Sequence, residues 1–409
     1  MPTNTRPHGR WTADAVFLWI VVCGALGLAC FRLSRSPASV GAQDFRGLYV
    51  AGQMVLRFPK QLFDVGVQKQ LQNAAAGGNQ LVTFEHPAYE ALIYAPLASL
   101  GYRTAYLTYA AWNMLLLWLC YRFAPPAASA FGSACRPALF FLGFPLLLAI
   151  FVGQNPILFV LAVCLACSAF LEHKDGRAGL ILGLVIFKLA IAVPLALLLS
   201  IRRGRRFIVG FLGSSLTCAA VSIAITGLAG TRTFLHLLAT ATLNSDHSVK
   251  AQFDQGIWLH AMPNLAGLLY LLGSGHLSPS GFNALNLIGT LAVLGACAWL
   301  QRRTISDASA FGAAVSCAVL VSPHLYVYDL AVLPVAFLMV SGRWVKLVAV
   351  LWFVMPPVLY AVSFPYLMWF APAVIIPVLL LVLCFCAPKQ SGAALHHSAH
   401  PQSVELHAN

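Results

Sequence analysis

The chain has 409 residues, 60% of them apolar and only 9% charged, with a mean hydropathy of +0.80. A soluble domain carries about 25% charged residues, so too few charges are present to cover a water-facing surface of this size. That argues against a soluble enzyme, a disordered chain and a disulfide-built secreted module. The formal charge of +13 would suggest nucleic acid in a soluble protein. Here the cations fall in short tracts between apolar blocks (Arg202–Arg206, Gln301–Arg303, Arg343–Lys346), the pattern of cytoplasmic loops under the positive-inside rule.

In chain order, residues 1–13 form a cytoplasmic N-terminus ahead of a first apolar block, 14–31. Arg32 and Arg35 follow that block and no small-x-small cleavage site does, so it reads as a retained anchor that carries the chain outward. Residues 32–103 are the longest polar stretch and are placed outside. Further apolar blocks lie at 104–122, 137–152, 156–171, 178–201, 207–228, 282–300, 308–322, 328–341, 344–362 and 367–386. A second external region spans 229–281, and 387–409 is a polar, disordered cytoplasmic tail. The blocks have helical length and alternating strand-length segments are missing, which predicts an all-α integral membrane protein and not a barrel.

Block 178–201 is unusual. Glu172–Arg177 precedes it and Arg202–Arg206 follows it, so both flanks are cytoplasmic and the block must enter and leave on one side. It is predicted to be two short helices hinged near Lys188 and Pro194, lining a cavity. Counting it twice gives about 11–12 crossings in a single polytopic domain, 14–386, with both termini inside. Asp44–Phe58 and Gly256–Leu272 show amphipathic spacing and are predicted to lie as interfacial helices on the outer face. Ten of the eleven cysteines fall in apolar blocks and Cys135 in a cytoplasmic loop, so no disulfide framework is expected. Cys164-x-x-Cys167 reads as helix packing.

Several segments then become familiar together. They are Gln43-Asp44-Phe45-Arg46-Gly47-Leu48-Tyr49 with Gln61-Leu62-Phe63-Asp64, and Phe84-Glu85-His86-Pro87 with Ala95-Pro96-Leu97. Gly153-Gln154-Asn155, Gly179 to Lys188 before the arginine tract, and Ser322 to Asp329 follow. In order and spacing these resemble glycosyltransferase family 87 over roughly residues 14–345. That family comprises multi-pass enzymes of the GT-C class, whose characterised members are mannosyltransferases using polyprenol-phosphate mannose. The chain departs from the family pattern in having Phe58-Pro59-Lys60 where a Gly is usual, His86-Pro87 for a Pro-Pro pair, and Tyr326 for a second His.

Such a transfer needs a base for the acceptor hydroxyl and donors for the leaving phosphate. The acids placed outside are Asp44, Asp64, Glu85, Glu90, Asp246, Asp254 and Asp329. Asp44 opens the interfacial helix, where an N-cap role is as good a reading as catalysis; the resemblance implies that it is the general base. Asp64 reads as the cap of a second short helix. Lys188 sits within an apolar run at an insertion cost of about 2.5–3.5 kcal/mol and is assigned to the donor phosphate, with snorkelling as the alternative. His324 is assigned to the phosphate or a sugar hydroxyl. Glu85, His86, Gln154, Asn155, Tyr326 and Asp329 are weaker substrate-binding candidates. Asp329 serves equally as a helix-start cap, Glu85 as a solvated loop acid, and His247 and His260 as loop residues.

No His/Cys/carboxylate cluster has metal spacing and no nucleotide fingerprint is present, so no metal and no cofactor are expected. The partners expected are a polyprenyl-phosphate sugar donor, a lipid or glycan acceptor and membrane lipids, with no nucleic acid and a monomeric state. The resemblance implies an inverting hexosyl transfer, of mannose, at the extracytoplasmic face of the cell membrane. The competing class is a polytopic transporter or flippase, which also uses broken helices and buried charge but usually carries internal repeats; no convincing repeat is seen. A non-catalytic assembly protein is a third reading, under which neither Asp44 nor Lys188 would matter to turnover.

Overall fold

The computed structural model describes residues 44–77, 81–243, 259–273, 276–303 and 305–340, with a few isolated helical positions before and after. The predicted anchor 14–31, blocks 344–362 and 367–386, and both terminal segments lie essentially outside these residues. All regular structure among the described residues is helical. A cap comes first: α1 (Phe45–Arg57), α2 (Val65–Ala76) and α3 (Ala88–Tyr94), with short 3-10 turns at Pro59–Gln61 and Ala95–Ser99. The bundle follows: α4 (Tyr102–Phe123), α5 (Ala130–Phe141), α6 (Phe144–Val152), α7 (Pro156–Leu171), α8 (Asp175–Leu184) and α9 (Leu189–Arg203). Then come α10 (Arg205–Leu243), α11 (Leu265–Gly273), α12 (Pro279–Gln301), α13 (Asp307–Leu320), a 3-10 turn at Val327–Val332 and α14 (Leu333–Leu338).

Among the described residues, three helical stretches can cross a membrane by length and composition: Phe131–Val152, Arg205–Ala239 and Pro279–Gln301. The bent pair α8–α9 makes a fourth if taken as one span. Helix α4, although 22 residues long, is not among them, because Tyr102, Tyr106, Tyr109 and Asn113 make its first half polar. Helices α7 and α13 are shorter than the roughly 20 residues that span a bilayer, but most of their side chains are buried. They are interior helices shielded by others, and their continuous apolar sequence reflects burial on all sides.

The predicted break in block 178–201 is present, with one correction. Helices α8 and α9 are bent by 77° at Ile186–Lys188, whereas Pro194 sits inside an unbroken α9. Its flanks meet: Arg203 Nε lies 3.3 Å from Asp175 Oδ1, and Arg202 Nε and Arg203 each donate to Asp307 at 2.7 Å. Arg202 also donates to the carbonyls of Gln301, Arg303 and Ile305, capping the C-terminus of α12, whose last carbonyls have no helical partner. The arginine tract is thus a staple joining α8, α9, α12 and α13 at one end of the bundle. Helix α10 packs on α8 through close backbone approach: a Cβ at Gly179 would lie 2.1 Å from the Phe207 carbonyl oxygen, the small-residue contact that membrane helices favour.

The cap departs from expectation. Helix α1 is not laid flat against lipid; Phe45, Leu48, Val50, Ala51 and Met54 are buried, and only its last turn, from Leu56, is well exposed. One face is covered by α2 and the other by α3 and the Ala95–Ser99 turn. Its amphipathic spacing therefore records burial against protein. Residues beyond the kink at Gly227 (φ 70) bring Phe234 and Leu237 onto the same cap core.

Candidate functional site

Three elements run from the arginine staple to the cap and carry candidate residues at their cap-side ends. Helix α7 has its C-terminus near Arg203 and its N-terminus at Asn155, and its 16 residues amount to about 24 Å of rise. Helix α8 begins at Asp175 and reaches the break at Lys188; α13 begins at Asp307 and ends just before Ser322–Tyr328. Asp44 and the arginine tract therefore lie at opposite ends of α7.

Asp44 occupies the N-cap position of α1 but makes no capping hydrogen bond with its side chain. Its Oδ2 instead accepts from Gln154 Nε2 at 3.1 Å, and its backbone N–H donates to the Val152 carbonyl at 3.2 Å. The turn that presents Gln154 is tightly specified. Gly153 closes α6 in the left-handed region (φ 80), and a Cβ there would lie 2.4 Å from the Phe45 Cβ. Tyr109 donates to the Gln154 carbonyl at 2.8 Å, and Tyr106 to the carbonyls of Ile150 and Phe151. Phe45 packs among Tyr49, Tyr102, Tyr106 and Tyr109. Asp64, by contrast, is the cap its sequence suggests, accepting from the Val67 N–H at 3.0 Å.

Burial pushes the Asp44 carboxyl above the usual carboxylate range; Gln154, Lys188 and Arg46 pull it back, and Asp329 raises it further. A desolvated carboxylate with one designated partner is a stronger base than one in water. Glu85 sits in the extended approach to α3, its carboxyl also raised by burial and opposed by His86.

Lys188 does not snorkel. Its Nζ donates to Asp329 Oδ1 at 2.7 Å and lies 5.7 Å from the centroid of the Tyr328 ring, with both members of the pair nearly buried. Asp329 Oδ2 simultaneously accepts from the Tyr326 N–H at 3.0 Å, so Asp329 is both a turn cap and the counter-ion of Lys188. The cap is the reading the sequence offered; the ion pair with Lys188 is new. An ammonium has three donors, so the pair orients Lys188 without exhausting it.

His324 stands between these elements, its ring against Tyr326 at 5.0 Å. Burial lowers its pKa to about 4, against the pull of Asp329, with Lys188 and His86 adding to the fall. Near neutral pH it offers a neutral N–H rather than a positive charge. The formal positive charge within this group is therefore that of Lys188 rather than of His324.

The structure groups Asp44, Gln154, Lys188, Asp329, His324 and His86 within electrostatic reach of one another. Asn155 turns away: its Nδ2 donates to Glu90 Oε1 and to the Tyr94 hydroxyl in a buried knot. It braces the turn that carries Gln154. Glu90, to which the sequence assigned no role, lies at the centre of that knot. It is fully buried, accepts from Tyr94 at 2.9 Å and sits 2.8 Å from His86 Nδ1. The four-residue spacing of His86 and Glu90 at a helix start was the available signal. Tyr89 and Tyr328, which the sequence also left without a part, contact the break and Lys188 through partners far away in sequence. His247 lies outside the described residues, as does the side chain of His260. Among the described residues no group of three His, Cys, Asp or Glu is arranged to hold a metal ion, and the seven described cysteines are free.

No curated protein and no solved structure matches the chain. Residues 84–323, more than half of it, match glycosyltransferase family 87; the span includes His86, Gln154 and Lys188, and leaves Asp44, His324 and Asp329 outside. This chain is an all-helical membrane glycosyltransferase belonging to glycosyltransferase family 87.

Proposed function

We propose that the protein moves a hexose, mannose, from a polyprenyl-phosphate donor to a hydroxyl of a lipid or glycan acceptor at the extracytoplasmic face, with inversion. The observation that carries this reading is the state of Asp44. A carboxylate at a helix N-terminus that forgoes its cap, is desolvated, and shares a cluster with a lysine and a histidine is arranged for chemistry. Asp44 takes the acceptor proton, held by Gln154. Lys188, oriented by Asp329, neutralises the charge that develops on the departing phosphate, and His324 donates a hydrogen bond to it. The glycosidic bond to the phosphate breaks as the acceptor oxygen bonds to the anomeric carbon from the opposite side.

The acceptor and the polyprenol length are open to direct assay. Purified protein is incubated with polyprenyl-phosphate mannose and membrane lipid extract, and the products are read by mass spectrometry. A hexose-bearing lipid or glycan formed from this donor supports the reading. Transfer only from a nucleotide sugar would refute it.

A further inference from the structure

Lys188 is delivered by a break in a helix, and a break leaves backbone groups without helical partners. Such groups need partners from elsewhere if the bend is to hold its shape. Here one side chain satisfies both sides. The Tyr89 hydroxyl donates to the Leu184 carbonyl at the end of α8 and accepts from the Phe187 N–H in the turn beyond, each at 3.0 Å. Its ring lies 6.5 Å from that of Phe187. Tyr89 is itself fixed, since its own N–H donates to Ser222 Oγ on α10 at 3.1 Å. Its sequence neighbour Glu90 holds Asn155, at the turn behind Gln154. The two-turn helix α3 therefore touches both halves of the site through adjacent residues.

We infer that Tyr89 is a positioning residue, which clasps the α8–α9 break across its gap and so sets the place of the Lys188 ammonium relative to Asp44. It acts through Lys188 and does not itself reach the reacting atoms. The inference rests on the proposed role of Lys188 at the donor phosphate. Removing the hydroxyl takes the partner from the Phe187 N–H and leaves the Leu184 carbonyl only the Cys218 thiol at 4.0 Å, which lets the bend relax while Asp44, Gln154 and the acceptor side stay in place.

The test compares Tyr89→Phe with Lys188→Gln in the purified enzyme, measuring KM for donor and for acceptor separately. Tyr89→Phe is expected to raise donor KM about tenfold, the scale of one or two lost hydrogen bonds, with acceptor KM within twofold of wild type. Lys188→Gln is expected to raise donor KM at least as much. If Lys188→Gln weakens donor use but Tyr89→Phe does not, the positioning role is overturned and the reading of Lys188 stands. An unchanged Lys188→Gln enzyme overturns the reading of Lys188 and with it this inference. Equal changes in donor and acceptor KM for Tyr89→Phe would show a general packing role and also overturn it. Should Tyr89→Phe fail to fold, Tyr89→Met, which fills the same space without a hydroxyl, takes its place.

Discussion

Gln154 and Asp44 are 110 positions apart, yet the Gln154 amide donates to the Asp44 carboxylate at 3.1 Å. The contact exists because Gly153, the residue before Gln154, presses against Phe45, the residue after Asp44. Two backbone turns are nested, and the catalytic candidate is held by the one that carries its hydrogen-bond partner.

Gly153→Ala therefore tests the nest. The left-handed backbone at this position costs a residue with a Cβ on the order of 1–3 kcal/mol, and the new methyl would clash with Phe45. Thermal stability should fall by about that amount, with transfer lost to a greater degree than folding. A Gly153→Ala protein with normal stability and rate would show that the two turns are not in contact.

Lys188→Met alone is a poor probe, because it strands the nearly buried Asp329 carboxylate. Breaking one half of a buried pair costs about 3–5 kcal/mol. Asp329→Asn and Lys188→Met should each destabilise on that scale, whereas the double variant should recover much of the loss while still using donor poorly. Thermal unfolding of the three variants in one detergent checks this; additive losses would mean that the pair is not formed.

The pH profile should carry the signature of Asp44. Its carboxyl is raised by burial, and a general base works only when deprotonated, so kcat/KM should fall on the acid side at a midpoint above the ordinary Asp value of about 3.9. His324, at about 4, stays neutral from pH 5 to 9, so His324→Gln should lower the rate without moving that limb. A limb that shifts with His324→Gln would reassign the titrating group.

Sidedness follows from the rise of α7. Lys60, exposed in the cap, and Arg205, exposed beside the arginine staple, should label from opposite faces when replaced by cysteine and probed with a membrane-impermeant maleimide. Labelling of both from one face would contradict the topology.

Much of this was legible in the sequence where local chemistry decides. A lysine within an apolar run between two cationic flanks pointed to a broken helix, and of the two hinge positions the sequence offered the break lies at Lys188, with Pro194 inside α9. Asp64 reads correctly as a cap because capping is local. Partners across the bundle were not legible. No spacing rule shows that Asp329 neutralises Lys188, or that Tyr89 spans the break 95 residues away. The amphipathic period of α1 misled about its surroundings, since a helix buried between α2 and α3 within the cap repeats like one on a membrane.

Asp44→Asn in the purified transfer assay tests the central claim most directly. The substitution is nearly isosteric and keeps the Gln154 contact within reach. Loss of a general base typically costs about 10²–10⁴-fold in rate, and kcat should fall on that scale with donor binding retained. Because the folded carboxyl is raised, its charged form opposes folding at neutral pH. The stability that Asp44 contributes is present below its unfolded pKa and lost as pH rises through its folded value. Asp44→Asn should therefore hold or raise the thermal midpoint at pH 7 while activity collapses. An Asp44→Asn enzyme turning over at near the wild-type rate would contradict the account.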